Sequence, residues 1–158
     1  MGKIHQHVCS VCGTLWEHCH ESYGRFRDHI CESCGYLELM VYKPGDPPMG
    51  PADFPQAVVN FLNVLNDSDD SARTAAAFSL GRLGAEPDRA VPALAWTAIW
   101  DTHLAARQAA VEGLRRFGFE TCRQTAGYLW TSISTAIFSD KQATWDGQTD
   151  AGSPSIAE

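Results

Sequence analysis

The sequence predicts a mixed fold, with a small β unit at the amino terminus followed by an all-α segment of about two and a half helix pairs. Three observations predict it: two CxxC pairs, strand-like alternation beside them, and a helical pattern that occurs at Arg73 and again at Arg107. The chain has 158 residues, 44% of them hydrophobic, which is enough to bury a core. Twelve basic against nineteen acidic residues leave a net charge of −7, which argues against a protein dominated by phosphate binding. No run reaches the ~18 apolar residues of a membrane span. The start, Met1 to Gln6, has neither an apolar signal core nor Ser or Thr at position 6, so a cytoplasmic protein is expected.

Residues 1–43 hold five of the six histidines and five of the six cysteines. Cys9-Ser-Val-Cys12 and Cys31-Glu-Ser-Cys34 are separated by residues 13–30. Each CxxC turn offers two thiolates, and two turns make the four soft ligands of a tetrahedral ion, whereas disulfides are not expected in the cytoplasm. Gly13 and Gly35, directly after the second cysteine of each pair, suit a sharp reversal that needs positive φ. Ile4, Gln6 and Val8 alternate with His5 and His7, and Leu37, Leu39 and Val41 alternate with Tyr36, Glu38, Met40 and Tyr42, so strands flank both turns.

Two such metal-clipped hairpins resemble a zinc ribbon, which implies structural Zn²⁺ held by Cys9, Cys12, Cys31 and Cys34. Iron is the alternative, because CESCGY also looks like a rubredoxin knuckle and S₄ geometry suits either metal. So short a unit buries too little surface to fold alone, and metal binding should be coupled to its folding. His18-Cys19-His20, with His5, His7 and His29 near in sequence, could be a second metal site or a Cys/His pair. The plainer reading, adopted here, is a polar loop with solvated histidines. Trp16 is expected to close the ribbon's small core.

Residues 44–53, PGDPPMGPAD, carry four prolines and read as a semi-rigid linker. From residue 54 to about 138 the pattern is helical. Phe54, Val58, Phe61, Leu62 and Leu65 share one helix face, with Asp53 and Gln56 reading as a capping box. A second helix runs from about Asp70 to Leu83 and stops at Gly84. Arg73, Ala75, Ala76, Leu80, Arg82 and Gly84 recur 34 positions on as Arg107, Ala109, Ala110, Leu114, Arg116 and Gly118. Trp96 and Ile99 recur as Trp130 and Ile133, so a third unit begins near Glu120 and its last helix caps the array.

SARTAAAFSLGRLG and LAARQAAVEGLRRFG look like HEAT repeats of the short, phycobilisome-lyase-like class. That resemblance implies a solenoid of antiparallel helix pairs, each with an Asp in its turn and an Arg early in its second helix; Asp67 with Arg73, and Asp101 with Arg107, match. The family's usual first-helix proline is present as Pro92 and missing from the first unit. The last residues, 139–158, are polar and read as a flexible tail, with Trp145 as its single large apolar group.

Trp96, Trp100 and Trp130 cannot all fit so thin a core. The plainer reading of Trp96 and Trp130 is core filler, and the sharper one is a binding ridge. Arg82/Arg116 and Arg89/Arg123 keep the same repeat offset and could form a positive stripe, although residues 53–123 sum to nine acids against seven arginines. Trp96, Trp130, Arg82, Arg116, Arg89 and Arg123 are therefore the candidate partner-binding residues. Neither half contains a recognisable nucleophile, base and orienter, so the expected function is a non-enzymatic adaptor for a protein partner. Nucleic-acid association through the arginine stripe is the alternative.

Overall fold

The computed structural model describes residues 3–20, 25–40, 42 and 45–138. The expected tail with Trp145, and Val41 of the expected later strand, lie outside the described residues. The chain begins with an antiparallel hairpin, β1 (Lys3–Val8) and β2 (Leu15–His20), in which Val8 faces Leu15, His7 faces Trp16 and His5 faces His18. Side chains alternate across a strand, so His5, His7, Trp16 and His18 share one face and Ile4, Val8, Leu15 and Cys19 the other. Ile4 is 72% and Leu15 56% exposed. The hairpin thus turns Ile4 and Leu15 to solvent, while on the other face His7 and His18 are half-buried and His5 is exposed.

The second knuckle is not followed by a strand, and here the expectation of alternation is corrected. Only an isolated bridge, Ile30 with Leu37, pairs across it among the described residues. Tyr36, Leu37 and Glu38 are all buried, so this stretch is covered on both sides instead of presenting one face to water. Its backbone donors go elsewhere: Leu37 N donates to Ser79 Oγ (2.9 Å) and Glu38 N to the His29 carbonyl (2.9 Å).

Six α-helices follow among the described residues. The expected capping box is absent at the start of α1 (Phe54–Val64). A single 3₁₀ turn at Pro51–Asp53 precedes it, and the Asp53 carboxylate accepts from Gly50 N (3.0 Å). α2 (Asp70–Leu83) is capped by the Asp69 carboxylate, which accepts from Ser71 N and Ala72 N, and ends at Gly84 with φ 62°. α3 (Pro87–Trp100) and α4 (Leu104–Phe117) complete the second pair. α2 and α4 have the same length and are offset from each other as Arg73 is from Arg107, which the periodicity requires.

The turns between helices recur too. Asp67 Oδ1 accepts from Asp69 N, and one repeat later Asp101 Oδ1 accepts from His103 N, both at 2.8 Å. Arg73 Nη1 donates to the Asp67 carbonyl (2.9 Å) and Arg107 Nη1 to that of Asp101 (2.8 Å). Arg73 also makes a bidentate pair with the Asp101 carboxylate (2.9 and 3.1 Å), joining one turn to the next. That guanidinium holds the Asp101 carboxyl below its usual range.

The helices meet through small residues. Ala72, Ala76, Ala77, Ala90, Ala95, Ala106 and Ala110 are fully buried. At the closest crossing, Gly81 of α2 lies against Gly113 of α4, where a Cβ on Gly81 would stand 2.3 Å from the Gly113 Cα. The third unit is broken. α5 (Phe119–Thr125), a 3₁₀ turn at Gly127–Leu129, α6 (Trp130–Ile133) and a π turn at Ser134–Phe138 replace one long helix. Gly127 at φ 59° interrupts the helical path. Leu129, Ile133, Ile137 and Phe138 nonetheless stay buried. The two halves share one core, in which Cys9, Cys31, Tyr36 and Leu37 pack with Phe61, Leu80 and Leu94. The Tyr36 ring meets Phe61 edge-on at 5.5 Å, and Met49 of the proline-rich segment accepts from the Tyr36 hydroxyl (3.7 Å).

Candidate metal centre

The two cysteine turns are built alike. Gly13 N donates to the Cys9 carbonyl and Gly35 N to that of Cys31, both at 2.8 Å, while Cys9 N donates to Thr14 and Cys31 N to Tyr36, both at 2.9 Å. Gly13 (φ 74°) and Gly35 (φ 76°) sit in the left-handed region, where a side chain would be strained. Each turn therefore directs both of its thiols to one point.

The four sulfurs of Cys9, Cys12, Cys31 and Cys34 all lie within 4.8 Å of one another. Cys9 Sγ is 3.6 Å from Cys34 Sγ, and Cys12 Sγ is 3.5 Å from Cys31 Sγ, so the contacts cross between the turns. A tetrahedral ion with Zn–S bonds of about 2.3 Å has S···S edges of about 3.8 Å. The group can thus hold a metal ion with little rearrangement, and its geometry and softness are compatible with zinc. Burial pushes the Cys9 and Cys34 thiols up, whereas Cys12 is lowered to about 6, chiefly by hydrogen bonds from the Thr14 side chain and backbone. A bound cation would favour the thiolate form of all four.

Glu38 ties the turns together from beneath. It is buried, and its carboxylate accepts from Ser10 N (2.7 Å), from the Ser10 hydroxyl and from Met40 N (3.1 Å). Burial raises its carboxyl above the ordinary range. The alternation of Leu37, Leu39 and Val41 with Tyr36, Glu38, Met40 and Tyr42 held no hint of this role, because it does not tell which segment Glu38 meets.

The histidine-rich stretch is not a solvated loop. His18 and Cys19 lie on β2, and they face opposite ways: Cys19 is exposed on the outer face, away from the histidines. His18 instead meets His7 of β1 and His29 of the 3₁₀ turn Phe26–His29, with ring nitrogens of all three within 4.8 Å. Trp16 stacks on His7 at 5.3 Å, and its indole N–H donates to the Asp28 carbonyl (3.1 Å), pinning the turn that carries His29. A signal for part of this was in the sequence. His7-Val-Cys9-x-x-Cys12-Gly13 recurs at the second knuckle as His29-Ile-Cys31-x-x-Cys34-Gly35, so the two turns carry equivalent histidines.

The candidate partner-binding residues scatter. Trp96 (54% exposed) and Trp100 (49%) pack on each other on the outside of α3, with ring centroids 4.2 Å apart and planes tilted by 40°. Trp130 is half-buried between Phe119 (5.1 Å) and Phe138 (5.9 Å), so it does not stand beside Trp96 and serves the core. Arg82, Arg89, Arg116 and Arg123 are exposed, and Arg123 pairs with Glu120 within its own helix turn. Cys122 is buried, its thiol pushed up to about 12 by burial. No helix among the described residues is long and apolar enough to cross a membrane. Comparison of the chain with known protein families, with characterised proteins and with solved structures gives no match.

Proposed function

We propose that the chain is a non-enzymatic protein-binding adaptor in which a structural zinc ribbon, built on the four cysteines, braces a short HEAT-like solenoid. The observation that carries this reading is the solvent-facing Trp96–Trp100 pair, whose rings pack on each other at a tilt. The two rings flank a cavity of about 430 Å³ whose other walls are Leu62, Leu65, Asn66, Ala93, Thr97 and Asp101. Two large aromatic rings exposed beside a recess of mixed apolar and polar lining are the composition of an interaction hot spot. The recurrent Asp/Arg turns and the repeated helical pattern support the HEAT-like reading of the helices. The buried Cys122 thiol, pushed up by burial, fits a packing role, and Cys19 lies on the hairpin face opposite His7 and His18, away from a Cys19/His18 pairing.

The test is affinity capture from cell extract, comparing the wild type with Trp96→Ala, Trp100→Ala and the double variant, each with helicity and metal content checked. The expected result is a specific protein partner lost in the double variant and retained in Arg116→Ala. Full retention of partners in the double variant overturns the Trp96–Trp100 surface. Binding of RNA or DNA that weakens steeply with salt, and is lost in Arg82→Ala/Arg116→Ala, would instead establish the nucleic-acid alternative.

A further inference from the structure

We propose that His7, His18 and His29 form a second metal site, distinct from the four cysteines, which takes a divalent transition-metal ion of the zinc class. The three side chains come from three separate backbone segments: β1, β2 and the turn before Cys31. Their ring centroids stand 4.6 Å (His7–His18), 4.7 Å (His7–His29) and 4.9 Å (His18–His29) apart, with His29 edge-on to the other two. His5 shares the face, but its ring lies 6.1 Å from His18 and it stands outside the group.

The distances suit metal ligation. His7 and His18 approach through their Nε2 atoms at 2.6 Å. Three nitrogens bound at about 2.05 Å in a tetrahedral arrangement stand about 3.3 Å apart, so a small rotation of the two rings admits an ion. Imidazole is a borderline ligand that suits Zn²⁺, Cu²⁺ and Ni²⁺ and excludes the hard Ca²⁺ and Mg²⁺. Three neutral imidazole nitrogens leave a bound ion its full charge, and a tetrahedral ion takes a fourth ligand beside them.

Two further features favour a built site. The hairpin buries its histidine face in part and leaves Ile4 and Leu15 in solvent, the reverse of what hydrophobic burial alone selects. The duplicated His-x-Cys-x-x-Cys-Gly unit also places His7 and His29 equivalently relative to the two cysteine turns. Folding of the cysteine centre therefore preorganises two of the three histidines, and the hairpin pairing supplies the third. This inference does not depend on the adaptor reading.

The experiment titrates metal-free, reduced full-length protein with Co²⁺ and then Zn²⁺. The first Co²⁺ equivalent is expected to give the intense near-ultraviolet thiolate charge-transfer bands, and the second only weak visible absorption without further thiolate bands. Elemental analysis after Zn²⁺ loading should give two ions per chain in the wild type and in His5→Gln, and one in His18→Gln and His29→Gln, with thiolate bands unchanged. Because a variant could fail to fold, ring ¹⁵N resonances of the wild type are followed in parallel. Those of His7, His18 and His29 should shift on the second Zn²⁺ equivalent while His103 stays put. Saturation of the wild type at one ion, or a second ion retained in His18→Gln, or unmoved His7, His18 and His29 resonances, would each overturn the proposal.

Discussion

The amino-terminal unit and the helical segment solve the same problem by opposite means. In residues 3–40 few side chains are apolar and buried, and two glycine-ended turns bring four thiols to one point. In residues 54–117 no such clamp exists among the described residues; order comes from alanine and glycine, which let α2 and α4 approach until Gly81 touches Gly113. The first half has little hydrophobic area of its own, and its four clustered thiols stand where a metal ion would supply cohesion. The second half tolerates an exposed tryptophan pair because its core is already filled by Leu80, Leu94 and Leu114. The halves meet at Tyr36, Leu37 and Ser79, so the clamp also supports the face of α1 and α2.

That contrast predicts a graded series of losses. The largest belongs to the metal. Chelation, or Cys31→Ser, should remove a contribution on the order of 10 kcal/mol from the amino-terminal unit, read as lost near-ultraviolet circular dichroism around Trp16. Most helical signal in the far ultraviolet should survive; its complete collapse would show the helices to be as metal-dependent as the hairpin.

Next is Gly81→Ala, which forces a methyl group into the Gly113 backbone and should cost about 3 kcal/mol in denaturant melts. Gly113→Ala should cost less, since its added carbon meets the flexible end of Leu94 at 3.1 Å and the Gly81 Cα only at 3.4 Å. Equal losses would mean that the crossing relaxes as a whole.

Asp101→Asn comes third. It weakens the partly buried Arg73 pair that links successive turns and should cost about 2 kcal/mol near neutral pH. The Asp101 carboxyl is held below its ordinary 3.8, so the pair's contribution is fully present above that value and is lost as pH falls through the folded value. The gap between wild type and Asp101→Asn should accordingly close in melts taken at progressively lower pH below about 4. The smallest effect is expected for Arg27→Ala, which removes a solvent-exposed pair to Asp69 (3.0 Å) between the two halves. An unchanged melting temperature is the expected result; a clear drop would make that contact a structural joint.

Much of this molecule was legible from residue order because the relevant signals are local. CxxCG specifies a turn through its own few positions, and Gly84 ends a helix through its own left-handed backbone, so the knuckles and the end of α2 were readable in place. The Asp/Arg turn was readable because it recurs. Other features required distant segments to meet. His7, His18 and His29 converge only when β1, β2 and the 26–29 turn are brought together, and nothing in His18-Cys19-His20 says which neighbour faces inward. Gly81 and Gly113 look like weak points of their own helices until the crossing shows that each makes room for the other. Trp96 and Trp130 occupy matching positions in successive repeats yet end in different surroundings, because Gly127 breaks the third unit and folds Trp130 onto Phe119 and Phe138. The sequence by itself determined the four clustered thiols, the helix boundaries of α2 and the period. The tertiary structure alone decided the interior side of the hairpin, the glycine crossing and the exposed tryptophan pair, since these are contacts between distant segments and no local pattern encodes their energies.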